Sequence, residues 1–229
     1  MGTSMFSIKT VLLGIAMLTM IAFIPGSAKA DEVTIGGYTN GCFNCNPPPV
    51  PNTSAVQTAS LGGLTYVNSQ FSGTTAAGFL GLGGNPTIPP AQSVNNLGSF
   101  SLDTSAFTYA GNTFTLRVTF TVPTGINGGG SQLFTANLLG TVVSDTNGGV
   151  TINFDNTPVL FTFSNGTASG SFFFSVNDVA INPGQVASVT GQITGAQQSS
   201  VPEPTGMLLL GTGLVGVAGV ARRRFRRNS

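Results

Sequence analysis

The clearest signal in the chain is a strict alternation of apolar and polar side chains. Residues 114–122 read FTLRVTFTV. Phe114, Leu116, Val118, Phe120 and Val122 share one face, and Thr115, Arg117, Thr119 and Thr121 share the other. A period of two sustained over this run predicts a strand with one buried face. VTINF repeats the pattern with Val150, Ile152 and Phe154 inward, and VLFTF does so with Val159, Phe161 and Phe163. SFFFSV places Phe172, Phe174 and Val176 inward and Phe173 on the reverse face.

Turn residues separate these runs. TNGG (146–149) stands between LLGTVVS and VTINF, and Asn-Gly between two β runs is a strong hairpin cue. SNGTASG separates two Phe-rich runs, NPGQ (182–185) separates another pair, and TGINGGGS forms a longer Gly loop. The body has no helical period of useful length. Seven or more short strands divided by turns predict an all-β, antiparallel β-sandwich over 55–195, jelly-roll or immunoglobulin-like. A closed barrel is the alternative. Residues 31–54, with Pro47, Pro48, Pro49 and Pro51, predict irregular structure. The polar residues 196–200 predict a linker.

The two ends break the pattern with continuous apolar runs. After Lys9, Val11 to Ile24 carry no charge, and Pro25 and Gly26 end the run. Ala28 and Ala30 are small residues at the −3 and −1 positions of a cleavage site, so residues 1–30 predict a secretory signal and a mature chain starting at Asp31. The run falls short of the ~20 residues a spanning helix needs, which weighs against an uncleaved anchor. The absence of Cys at the +1 position, which is Asp31, argues against a lipoprotein.

Near the other end, 205–221 hold no charged residue and reach about 25 Å as a helix, enough for a thin hydrocarbon core. Gly206, Gly211, Gly213, Gly216 and Gly219 make a poor soluble helix but suit a membrane one. Arg222, Arg223, Arg224, Arg226 and Arg227 follow in the basic tail 222–229. Lys and Arg beside a span stay cytoplasmic, so the body lies outside. Just before the span, Pro202 and Pro204 hold the chain extended, and Glu203 resists entry into lipid.

Val-Pro-Glu-Pro, one short span and an Arg-rich end resemble the PEP-CTERM protein-sorting domain of Gram-negative bacteria, over residues 201–229. The resemblance implies processing by exosortase, a membrane protease-transferase, with the chain held in the inner membrane during sorting. It then implies a place on the cell surface or outside the cell, with the tail removed as in other tail-processed anchors. Signal peptidase is the second expected processing enzyme. As a family, such proteins are associated with exopolysaccharide-producing, biofilm-forming bacteria, which makes exopolysaccharide a candidate partner. The Leu-Pro-x-Thr-Gly signal of sortase substrates is absent.

Composition narrows the chemistry of the body. The whole chain is 7% charged, against about 25% in ordinary soluble domains. Between Asp31 and Ser200 the only base is Arg117, set against Asp31, Glu32, Asp103, Asp145, Asp155 and Asp178. A body this acidic has no cluster of Lys and Arg to neutralise phosphates, which excludes nucleic-acid binding by charge. There is no His, so a Ser-His-Asp triad is impossible, and the body has no Lys for Schiff-base chemistry. GLGGNP lacks the spacing of a phosphate-binding loop.

Cys42 and Cys45 form a C-x-x-C. Two Cys without His cannot supply the four ligands of a structural zinc site. A Pro-rich loop lacks the βαβ setting of a thioredoxin motif. In an oxidising compartment a local disulfide is the default, and pairing between chains is the lesser alternative. Asp145 and Asp178 stand at turns, where Asp bonds its own backbone. SDTNGG holds calcium-type ligands without the loop spacing of a calcium site. The expectation is therefore a non-enzymatic exported protein with no cofactor, no metal and no catalytic set. Its role is read as structural or adhesive, with a carbohydrate- or Ca²⁺-binding module as the alternative and a hydrolase behind both.

Overall fold

The computed structural model describes residues 29–30, 32–51, 56–88, 91–144, 147–200 and 213–214. These residues form β1 (Lys29–Ala30), β2 (Thr34–Phe43), β3 (Thr58–Leu61), β4 (Leu64–Val67), β5 (Ser69–Thr74) and β6 (Leu80–Leu82). Next come β7 (Ser93–Val94), β8 (Ser99–Leu102), β9 (Phe107–Thr108), β10 (Thr113–Val122), β11 (Ser131–Ser144) and β12 (Asn147–Phe154). The chain continues through β13 (Val159–Ser164), β14 (Ala168–Val176), β15 (Val179–Ile181), β16 (Val186–Ser188) and β17 (Gly191–Ser200). The fold is all-β, as alternation predicts.

Three sheets result. An eight-stranded sheet runs β15-β12-β11-β10-β2-β5-β7, with β9 also beside β11. A five-stranded sheet runs β1-β17-β14-β13, with β6 also on β17, and a four-stranded sheet runs β16-β8-β4-β3. All pairings are antiparallel except the short β5–β7 pair.

The core lies where one face of the eight-stranded sheet meets the other two. Phe114, Leu116, Val118 and Phe120 of β10 are all buried there. The Phe120 ring sits 4.9–5.2 Å from Phe161, Phe172 and Phe174 of the five-stranded sheet. Phe114 sits 4.9 Å from Tyr66 and 5.0 Å from Phe100 of the four-stranded sheet. Tilted and edge-to-face contacts at this spacing suit the ring quadrupoles. Val150, Ile152, Phe154, Phe161 and Phe163 are also buried, with Val159 packed partly against the core.

Four local expectations need correction. Residues 31–54 are not irregular throughout, because β2 occupies 34–43 between β10 and β5. Residues 196–200 are not a linker but the end of β17, paired with Ala168–Ser171. In that pairing two residues of β17 oppose one of β14, and Gly195 takes φ +59° as its extra residue. The bulge moves the inward positions from Ile193 to Ala196, a step of three that hides the strand from a period-two reading. A second bulge between Phe120 and Val122 leaves Val122 exposed instead of inward.

The fourth correction concerns turns. The predicted hairpin joins β11 to β12, but Asn147 and Gly148 open β12 opposite Ser144 and Val142 rather than forming its tip. Asn182–Gln185 does turn, with Gln185 N–H donating to the Asn182 carbonyl at 3.1 Å. It carries the chain from the eight-stranded to the four-stranded sheet instead of closing a hairpin.

Candidate functional site

The two expected terminal signals border the β strands in sequence. Pro202, Glu203, Pro204, the five arginines, Ala28 and Asp31 lie outside the described residues. Of the expected span, Gly213 and Leu214 are described, and both are helical. Among the described residues no helix is long and apolar enough to cross a membrane. The backbone of Lys29 and Ala30 pairs with Ser199 and Gln198. A cut after Ala30 therefore removes β1 from the edge of β17.

Cys42 and Cys45 are joined in a disulfide with Cα atoms 5.9 Å apart. Between them Asn44 takes φ +50°, a conformation Asn tolerates better than most residues. Its N–H donates to Thr113 O at 3.0 Å, its Oδ1 accepts from Thr113 N–H at 2.9 Å, and its Nδ2 donates to Asn112 Oδ1 at 2.8 Å. The C-x-x-C thus clips the end of β2 to the start of β10. Arg117 Nε donates to the Pro49 carbonyl, tying the Pro-rich segment to β10. The body's only base is therefore a tether, a role that spacing alone could not reveal.

Three of the described acids accept hydrogen bonds from backbone amides, two of them within their own turns. Asp103 Oδ1 accepts from Ser105 N–H at 2.8 Å, and Asp155 Oδ1 from Thr157 N–H at 3.0 Å. The Thr157 hydrogen bonds hold the exposed Asp155 carboxyl below its usual pKa. Asp178 Oδ1 accepts from Phe154 N–H at 2.8 Å, bridging the β12 end to the β14–β15 turn. Asp145 lies outside the described residues. Among the described residues no three His, Cys, Asp or Glu gather as metal ligands would.

The buried polar groups are structural in the same sense. Thr39 Oγ1 lies 2.9 Å from the Tyr66 hydroxyl and accepts from Ser69 N–H at 3.0 Å. Tyr66 in turn donates to Leu97 O at 2.8 Å, and burial pushes its pKa well up. Tyr109 donates to Gly62 O, and burial, aided by the nearby Asp103 charge, pushes its pKa up to about 12. Asn96 Nδ2 reaches Gly84 O, Asn85 O and Ser188 Oγ at 3.2–3.3 Å. Among the described residues no buried side-chain polar atom lacks a partner. Each such group is satisfied by the fold, as burial requires.

The chain therefore divides into a self-contained β domain and a terminal signal that follows it directly. Residues 200–227 match the family model of the PEP-CTERM protein-sorting motif, a stretch that includes Pro202–Pro204 and all five tail arginines. The chain thus carries a PEP-CTERM protein-sorting motif, the type of signal that exosortase processes during export to the cell surface. Comparison with curated proteins finds no match. Comparison with solved structures finds none either.

Proposed function

We propose that the mature protein is a non-enzymatic structural or adhesive component of the cell surface or exopolysaccharide matrix. Its functional part is the β domain, read as a β-sandwich because both smaller sheets meet one face of the largest. The observation that carries the reading is the join itself, since β17 ends at Ser200 where the sorting motif begins. Signal peptidase removes residues 1–30 in this reading, and exosortase acts near Pro202–Pro204. The Gram-negative inner membrane holds the chain only in between.

Support for a passive role comes from residue chemistry. The body has no His and no Lys, which removes the usual bases and activated nucleophiles. Asp103, Asp155 and Asp178 already accept hydrogen bonds from backbone amides. A Thr-, Ser-, Asn- and Gly-rich surface suits weak contacts that gain strength by repetition along a polymer.

Mass spectrometry of the protein taken from its own host tests the processing. The expected chain starts at Asp31 and lacks Arg222–Arg227, and an intact 205–229 segment on the surface protein would refute exosortase-type removal. Retention of the same material on the host's exopolysaccharide tests the matrix role.

A further inference from the structure

We propose that β1 shields the approach to the sorting motif, so that the cut after Ala30 must precede the cut at the C-terminal signal. This order rests on the two-cut reading above and deepens it. The carrying observation is a register. Lys29 pairs with Ser199 and Ala30 with Gln198. The sorting motif starts at residue 200. The last residues before the first cut therefore lie along the last residues before the second signal.

With the signal attached, the end of β17 is closed on both sides. On one side Gln197, Gln198, Ser199 and Ser200 pair with Ser171, Gly170, Ser169 and Ala168 of β14. That side stays shut, because β14 carries the buried Phe172 and Phe174 of the core. On the other side β6 pairs with Gly191–Ile193, and Gly78 O accepts from Ala196 N–H at 3.1 Å. β1 then takes Gln198 and Ser199. Among the described residues β1 is the one cover of β17 that a cut removes, and it lies at the end nearest in sequence to Pro202–Pro204.

The cover holds before the first cut and fails after it. Ala30 stands three residues before Val33, which is fully buried. Val33 N–H donates to Thr75 Oγ1 at 2.8 Å, and its carbonyl accepts from Thr75 N–H at 3.0 Å. So short a tether keeps β1 at high local concentration beside β17. The cut adds water across the Ala30–Asp31 bond, with hydroxyl to the Ala30 carbonyl carbon and a proton to the Asp31 nitrogen. Lys29 and Ala30 then leave with the signal. A two-residue pairing without its tether is too short to persist.

The occupant of the vacated edge is the main chain of the C-terminal protease. A partner that reads an extended peptide adds a strand beside it. Pro202 and Pro204 have no N–H to donate, which leaves the residues upstream as main donors. Gln198 and Ser199 are those residues, and β14 already holds their other side.

The test expresses the full chain in its own host in three forms, read by mass spectrometry of the intact protein. Ala28→Leu with Ala30→Leu blocks the first cut, which needs small side chains there, and leaves main-chain pairing in place. Ala28→Leu with Lys29→Pro and Ala30→Pro also blocks the cut but removes both N–H groups of β1. The parent should lose signal and tail. The Leu variant should keep both, with tail-free product down about tenfold or more, because only the uncovered fraction reacts. The Pro variant should keep the signal yet lose the tail. Both variants retain an uncut signal, so the difference between them reports the pairing and not the anchoring.

Tail loss from the Leu variant at the parent's level overturns the order. Tail retention in both variants overturns it too, since pairing is then not what protects the motif. A parent chain that keeps its tail refutes the two-cut reading itself, and the order falls with it.

Discussion

Strands β2 and β10 lie side by side at the centre of the eight-stranded sheet, and they fill the core in opposite ways. β10 supplies bulk, sending Phe114, Leu116, Val118 and Phe120 inward. β2 supplies room, with Gly37 beneath the Phe71 ring and Gly41 beneath the rings of Phe114 and Tyr66. A Cβ on Gly41 would sit 2.4 Å from Phe114 Cζ and 2.6 Å from Tyr66 Cε1. Close packing is a property of the pair, so a strand of Gly, Thr and Asn becomes central where its neighbour's rings cover it.

This division of labour can be broken from either side. Phe114→Ala removes the ring that bridges β2, β4 and β8, and should cost about 3–5 kcal/mol in denaturant unfolding. Gly41→Ala attacks the same contact from β2 and should cost about 1–3 kcal/mol by overpacking. Combining it with Phe114→Leu should recover part of that loss in a double-mutant cycle. If Gly41→Ala were neutral, the space above β2 would not be filled as described.

Smaller changes sharpen the picture. Thr39→Val keeps shape but strips the acceptor from buried Ser69 N–H and a partner from the Tyr66 hydroxyl. A loss of about 1–3 kcal/mol is expected, with the melting temperature as readout. Replacing Cys42 and Cys45 together with Ser opens a very short loop, so the loss should be about 2 kcal/mol or less. It should appear first as faster hydrogen exchange around Asn44 and Thr113.

The smallest effect is silent at neutral pH. The raised pKa of Tyr109, about 12 against an ordinary 10.0, means that the folded state favours the neutral phenol. That contribution is whole below pH 10 and is lost as pH rises towards 12. Tyr66 shifts in the same direction. Unfolding midpoints should fall over that window, and Tyr109→Phe should flatten the fall.

What was legible follows from the same contrast. β10, β12, β13 and β14 announce themselves because each carries its own buried side chains. β2 does not, because the groups that bury it belong to β4, β5 and β10. β17 alternates only up to Gly195 and then changes phase, so its second half looks like a polar linker. The sorting motif was readable because its meaning lies in linear order, whereas the tether role of Arg117 depends on where Pro49 folds back.

The place where β17 stops has a mechanical consequence. It is registered along β14 from Gly191 to Ser200, with β6 and β1 on its other side. A pull applied at Ser200 enters the sheet along this strand. Load then shears the β14–β17 ladder as a whole instead of peeling it bond by bond. The strand that leads into the sorting signal is thus tied into the sheet along its whole length.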